Sequence, residues 1–324
     1  MVPNVMFGFA YGDAVSSLAG LSLRDLEYAH AVDRHRHFGR AASQCGVSQA
    51  ALSEQLAKLE DRLGTRLFER AHRRVEPTPR GAPLLVQIAR VLAEARGLLE
   101  LSHEGTEGLA GKVRLGAIAT LGPYYLPHLL RQVREAYPLL QLRLEEGQTD
   151  SLLRALRDGQ VDAVLVAWPV PAEGLDAETL FMEPFLLVCP TAHRLADAAL
   201  PGLSDLGGGD LLLLEEGHCL RDQALALCRP GPGLTRHATS VETLWQMIAA
   251  DEGYSLLPAL SAQGREAIAG LVRRRELAGD RVGRTIALVW RRTDPRGESF
   301  RGLATLLRDG APAAVRPAET RLPG

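Results

Sequence analysis

The chain has 324 residues, 46% of them hydrophobic, enough for two or three packed domains, and no apolar run reaches the ~18 residues that a membrane-spanning helix needs. Four cysteines (Cys45, Cys189, Cys219, Cys228) are too few for a disulfide scaffold and fit a reducing cytoplasm, where a disulfide senses or catalyses. A net charge of −2 decides nothing about nucleic acid, but residues 21–80 carry 11 Lys and Arg against 8 Asp and Glu, a local basic surplus.

Residues 1–20 are mildly apolar without Lys or Arg, so they lack the positive start of a secretory signal and read as an unstructured extension. Apolar residues at helical spacing predict a helix over 23–32 and a short one over 38–44, closed by a turn at Cys45-Gly46-Val47. A third helix, capped by Ser48, runs to Leu63 and is stopped by Gly64. The small pair Ala41 and Ala42 lets two of these helices cross closely, which makes the segment a helix-turn-helix. Its reader helix would present Ser48, Gln49, Ser53 and Glu54 to base edges in the major groove, with Lys58 a turn further on at a phosphate. Plain helix capping is an equally good role for Ser48. A basic turn between 67–70 and 75–77 predicts a winged hairpin whose Arg70, Arg73 and Arg74 hold the DNA backbone. From Thr78 to residue 107 an amphipathic helix carries Leu84, Leu85, Ile88, Val91, Leu92, Ala95, Leu98 and Leu99 on one stripe. We expect a second copy of this helix to cover it; packing on the chain's own domain is the alternative.

The ordered run Phe38-Gly39-Arg40-Ala41-Ala42, Val47-Ser48-Gln49-Ala50-Ala51-Leu52-Ser53, Leu59-Glu60, Leu63-Gly64, Leu67-Phe68-Glu69-Arg70 and Thr78-Pro79-Arg80-Gly81 resembles the LysR-type transcriptional regulators. The resemblance begins at Leu21 and departs at Ala50, where the family often has proline, and at Pro83. It implies an all-α winged helix-turn-helix domain over 21–80 and an antiparallel linker-helix homodimer through 78–107. Double-stranded DNA with palindromic promoter sites is then the partner.

Beyond 105–111 strands and helices alternate: strands at 113–118, 140–144 and 161–166, helices at 124–137 and 151–158. This predicts an α/β domain on a parallel sheet. Short apolar strands at 185–188, 211–214 and 254–257 predict a second lobe, and 285–290 a strand returning to the first. Two lobes over 111–310, followed by a flexible tail at 311–324, resemble the two-lobed, periplasmic-binding-protein-like sensor domain of the same family. Ligands of such sheets bind beyond the C-terminal strand ends. Thr120 and Thr149 fall there, and each is also placed to cap the helix that follows.

Cys219 and Cys228 stand nine residues apart on a helical segment, which puts them on opposite faces and ~13 Å apart along the axis. A disulfide needs Cα atoms within ~7 Å, so joining them requires the segment to unwind. Cys219 opens the helix, where the dipole favours a thiolate; Arg221, and Arg284 if the fold brings it in, would add positive potential. Cys45 and Cys189 read as small structural residues.

The segments 120–124, 145–149, 238–244, 256–260 and 284–289, together with Gly217-His218-Cys219-Leu220-Arg221-Asp222-Gln223-Ala224, resemble the OxyR-type, hydrogen-peroxide-sensing subgroup of LysR regulators. That resemblance implies a peroxidatic Cys219 and a resolving Cys228. Thr120, Thr149, His218, Arg221, Asp222 and Arg284 would form the peroxide pocket, with no cofactor and no metal. It also implies a cytoplasmic, nucleoid-associated homotetramer that activates oxidative-stress genes, with RNA polymerase as a further partner and neither membrane nor enzymatic role. Three other readings stay open: a LysR-type regulator with an organic ligand in the interlobe cleft, a thiol peroxidase, and a metal site of His218, Cys219, Cys228 and His237.

Overall fold

The computed structural model describes residues 20–71, 74–101, 109–197, 201–230, 236–279 and 282–318, so the expected extension over 1–20 lies almost wholly outside the described residues. The chain divides into two units, Met1–Leu92 and Ala93–Gly324.

In the first unit, helices α1 (Leu23–His35), α2 (Phe38–Cys45) and α3 (Gln49–Leu63) each start on a side-chain cap. Ser22 forms a reciprocal capping box with Asp25, His37 Nδ1 accepts the Arg40 N–H, and Ser48 Oγ accepts the Ala51 N–H at 3.2 Å. Gly46 and Gly64 end α2 and α3 at φ 68° and 64°, a left-handed conformation that glycine adopts without strain. The wing is the antiparallel hairpin β1 (Phe68–Ala71) and β2 (Arg74–Pro77). Leu26, Val32, Ala41, Leu52, Leu56 and Leu59 form the core.

Leu85, Ile88 and Leu92 of the next helix, α4 (Gly81–Leu101), join that same core. This corrects part of the expected pairing, because the first half of the linker stripe is covered by the chain's own domain. The physical cause is the turn before it. Thr78 bonds through its N–H to Leu67 O (2.9 Å) and through its hydroxyl to Arg66 O (2.7 Å), folding α4 back over the wing. Gly81 permits the contact, since a Cβ there would stand 2.3 Å from Leu67 O. Further along, Val91 and Leu98 stay exposed, at 38% and 70%. Residues 102–108 of the expected helix lie outside the described residues.

The second unit opens with β3 (Gly111–Ile118), α5 (Gly122–Ala136), β4 (Leu140–Gly147), α6 (Thr149–Arg157) and β5 (Ala163–Trp168), with β3 parallel to both β4 and β5. The 16-residue strand β6 (Leu175–Pro190) then leaves this first lobe for the second. There follow β7 (Gly207–Gly208), β8 (Leu212–Leu214), α7 (Cys219–Leu227), β9 (Arg229–Pro230), β10 (Arg236–Ala238), α8 (Val241–Ala249), β11 (Ser255–Pro258) and β12 (Val272–Glu276). Strand β13 (Gly283–Arg291) returns to the first lobe, and α9 (Gly297–Asp309) packs on it.

The sheet is mixed rather than wholly parallel. Strand β13 comes back from the second lobe and so runs antiparallel to both β5 and β6. The tail is also more ordered than expected over 311–318: β14 (Arg316–Pro317) pairs antiparallel with Met182 and Phe181 of β6. Each lobe has its own apolar core. Tyr125, Phe181, Trp290 and Phe300 anchor the first, and Trp245 and Tyr254 the second.

Candidate redox site and nucleic-acid interface

The ends of β3 and β4 set the floor of the interlobe site. The Ala119 N–H donates to Gly147 O at 3.1 Å, which holds the end of β3 beside the end of β4, with Thr120 in the turn after the one and Thr149 at the first residue of α6 after the other. Neither threonine caps its helix, for α5 and α6 begin without a side-chain cap bond. Instead Thr120 Oγ1 accepts from Arg284 Nη1 at 2.7 Å, and Thr149 Oγ1 is buried without a protein partner.

Across this floor lies the segment that leads into α7. Gln148 Nε2 donates to Glu216 O at 3.5 Å, and a Cβ on Gly217 (φ 90°) would meet the Gln148 amide at 2.7 Å. The positive φ favours glycine at this position, and a side chain there would push the Gln148 amide aside. The contact brings Cys219, the first residue of α7 after its N-cap His218, onto the first lobe. Cys219 is half-buried at the first residue of α7 and packs against the first lobe's core. At the other end of α7, Cys228 is 1% exposed and packs in the second lobe's core. Burial pushes its thiol up to about 11. All four cysteines are free thiols, and burial raises those of Cys45 and Cys189 as well.

Arg284 is the buried cation of the site. Its Nε donates to Glu183 Oε2 at 2.9 Å, its Nη2 lies 2.8 Å from the same oxygen, and Nη2 also donates to Thr120 O at 2.9 Å. Both charged side chains are wholly shielded from solvent. Removing one partner of such a pair strands the other charge in the interior. We therefore expect Arg284→Met to lower the stability of the full chain by about 3–5 kcal/mol, read as an earlier denaturant midpoint of the sensor-domain transition.

Other expected pocket residues take different positions. Arg221 Nη1 donates to Leu214 O at 3.0 Å and to His237 Nδ1 at 2.9 Å, so its guanidinium ties α7 to β8 and β10. Asp222 is exposed in the first turn of α7, where a carboxylate suits the helix dipole. Thr120, Thr149, Arg284 and the 216–219 segment are thus assembled at one sheet edge. Among the described residues no group of three His, Cys, Asp or Glu side chains is placed to hold a metal ion. The opposite ends and separate cores of Cys219 and Cys228 fit that.

Sequence reasoning missed three contributors. Glu183 had a visible signal, a carboxylate inside the apolar strand Leu180-Phe181-Met182-Glu183-Pro184-Phe185. Gln148 had none beyond its place before Thr149. The third is an interlobe latch: Tyr124 Oη of α5 donates to Glu242 Oε1 of α8 at 2.9 Å, and Arg265 grips that carboxylate through two bonds of 2.6 Å while lying over Trp245. Arg265 holds the Glu242 carboxyl below the usual range, and burial with Glu242 pushes the Tyr124 hydroxyl up.

In the first unit, Gln49 and Glu54 are exposed on α3, Ser53 is half-buried and Ser48 serves as the cap. Lys58 Nζ pairs with Glu54 at 2.8 Å, an exposed i,i+4 contact that a phosphate can displace. Arg70 and Arg74 lie on the wing strands; their side chains, and Arg73 altogether, fall outside the described residues.

Residues 23–82 match the family model of the bacterial regulatory helix-turn-helix protein, lysR family, and residues 106–312 match the LysR substrate binding domain. The chain belongs to the LysR family of regulators. This LysR-family chain is 40% identical over 291 residues to the DNA-binding transcriptional dual regulator OxyR of Escherichia coli (strain K12), covering 89% of this chain and 95% of that relative. It also matches a substituted full-length OxyR from Pseudomonas aeruginosa, with a TM-score of 0.79 and 36% identity over 94% of this chain and 99% of that one. A hydrogen-peroxide-bound mutant of Corynebacterium glutamicum OxyR matches with a TM-score of 0.60 and 35% identity, covering 89% and 92% of the two chains. Within the LysR family the chain therefore falls in the OxyR branch, a DNA-binding helix-turn-helix domain followed by an α/β regulatory domain. No helix of the described residues is long and apolar enough to cross a membrane.

Proposed function

We propose that the protein is a transcription regulator that senses hydrogen peroxide through Cys219 and locks the response as a Cys219–Cys228 disulfide. The observation that carries this reading is the division of the two thiols: one short helix holds Cys219 against the first lobe and Cys228 inside the second. The Cys219 thiolate attacks one peroxide oxygen, the S–O bond forms and the O–O bond breaks. The leaving oxygen takes a proton and departs as water, so sulfur loses two electrons and becomes a sulfenic acid. Cys228 then attacks that sulfur, a disulfide forms, and the sulfenic oxygen leaves as a second water. Thr120, Thr149, His218 and Arg284 shape the pocket for the first step, while Arg221 and Asp222 flank it on the first turn of α7, Arg221 tying that helix to the second lobe's strands.

Because the disulfide cannot form across an intact α7, oxidation refolds part of the second lobe. In a homotetramer built on linker helices, whose exposed Val91 and Leu98 suit a partner, that change re-orients the DNA readers on a palindrome and the surface offered to RNA polymerase. Gln49, Ser53 and Glu54, with Ser48 where its capping role allows, meet base edges; Lys58, Arg70, Arg73 and Arg74 hold phosphates. The protein works in the cytoplasm at the nucleoid, as a regulator and not an enzyme. The test is mass spectrometry of the 219–228 peptide after one equivalent of peroxide, paired with a footprint of promoter DNA on the same sample. We expect the disulfide and an altered footprint together; a footprint that changes while both thiols stay reduced would overturn the reading.

A further inference from the structure

We propose that Glu183 is a positioning residue for the peroxide reaction, acting through Arg284 to fix the direction of the Thr120 hydroxyl. The inference rests on the reading of Cys219 as the peroxidatic cysteine. Glu183 is buried at 0% exposure on β6 and held from two sides: Oε1 accepts the Leu260 N–H at 3.0 Å, and Oε2 accepts Arg284 Nε at 2.9 Å. A guanidinium is planar with its donors in a fixed fork, so pinning one edge orients the rest. The remaining donors of Arg284 reach Thr120 twice, at Oγ1 (2.7 Å) and at the carbonyl (2.9 Å).

A hydroxyl has one proton and two lone pairs. With a cationic N–H filling one lone pair of Oγ1, the Thr120 proton is turned away from Arg284, and Thr120 becomes a committed donor. The turn carrying it lies beside the start of α6, on whose N-cap Gln148 the 216–219 segment rests. A donor fixed there suits the oxygen that leaves as the peroxide O–O bond breaks, because that oxygen gains negative charge and must end as water. Glu183 touches neither sulfur nor peroxide. Its part is to hold the arginine at the angle that sets this polarity.

The test uses the full-length reduced protein, its Glu183→Gln form, Thr120→Val and the double variant. The loss of Cys219 thiol is followed with excess peroxide and, separately, with iodoacetamide at a pH where alkylation has reached its plateau. Iodoacetamide takes the same thiolate but has no leaving oxygen that needs this donor. We expect Glu183→Gln to slow the peroxide reaction about 10- to 100-fold while alkylation stays within about twofold. On top of Thr120→Val, Glu183→Gln should cost far less than it does alone, since the route through Thr120 is already cut. Equal slowing with both reagents, additive effects in the double variant, or no slowing with peroxide would each overturn the proposal. Should Glu183→Gln not fold, Glu183→Asp, which keeps the charge on a shorter arm, is read by the same criteria. If Cys219 of the unsubstituted protein reacts with peroxide no faster than Cys45, the peroxide-sensing reading falls with this one. A fast unsubstituted protein and an equally fast Glu183→Gln form would overturn the Glu183 proposal alone.

Discussion

Cys219→Ser should leave a protein that binds its promoter and no longer responds to peroxide at all. In the proposed reaction the nucleophile is the sulfur at the first residue of α7, and a serine hydroxyl in its place stays protonated and does not reduce peroxide. The exchange is nearly isosteric at a half-buried position, so stability should move by no more than about 1 kcal/mol. DNA affinity of the reduced form should be unchanged, because the core of the helix-turn-helix unit is built from residues 26–92 alone. Reporter transcription with and without peroxide, alongside a titration of promoter binding, checks both halves. Cys45→Ser is the matched control. Cys45 ends α2 and its carbonyl, not its sulfur, accepts the Arg24 guanidinium at 2.9 Å, so the peroxide response should survive. A Cys219→Ser protein that still responds would return the interlobe cleft to an organic ligand and make both cysteines incidental.

The parts of this molecule that were legible in the sequence are those encoded locally. Ser48 and Gly64 bracket α3 where capping chemistry places them, and the alternation of apolar strands with amphipathic helices gives the first lobe. The unwinding demanded by nine-residue spacing also follows from helix geometry alone. What was not legible depends on partners distant in sequence. The stripe on α4 has the same periodicity whether it faces a second chain or its own domain, and only the Thr78–Leu67 turn decides for Leu85, Ile88 and Leu92. Strand direction is likewise invisible in a run such as 285–290, whose apolar residues suit either sense; its return from the second lobe makes it antiparallel. Thr120 and Thr149 sit where caps belong, yet one hydroxyl is claimed by Arg284 from 164 residues away and the other has no protein partner. Arg221, expected beside the sulfur from its place in the helix, is drawn to Leu214 and His237 on the second lobe's strands.

Cys228→Ser should separate the two chemical steps. Peroxide consumes Cys219 within about twofold of the normal rate, but no disulfide follows and the sustained transcriptional response falls at least ~10-fold, because a sulfenic acid alone does not hold α7 open. The second step is gated by structure rather than by thiol chemistry. Cys228 is 1% exposed, its N–H is bonded to Ala224 O at 2.8 Å, and the next two residues pair with Gly207 and Gly208. Gly207 is itself tied to the Tyr254 hydroxyl at 2.7 Å. To travel from the far end of α7 to within ~7 Å of Cys219, the sulfur must leave the second lobe's core, and the helix and the β7–β9 pair must come apart. Such local openings cost less than global unfolding. Denaturant too dilute to unfold the protein should therefore speed disulfide formation in the native sequence and leave sulfenic acid formation unchanged. The pH dependence has a definite sign. Burial raises the Cys228 thiol from 9.0 to about 11, so the closed segment holds this proton more tightly than the opened one. That share of its stability is complete below pH 9 and is lost as pH climbs through 11, and the opening step should quicken across the same window. Rapid mixing with acid quench and mass spectrometry reads both steps separately. A disulfide rate indifferent to denaturant and to pH between 9 and 11 would mean that the sulfurs meet without opening the segment, and a helix with thiols at its two ends would then be no barrier at all.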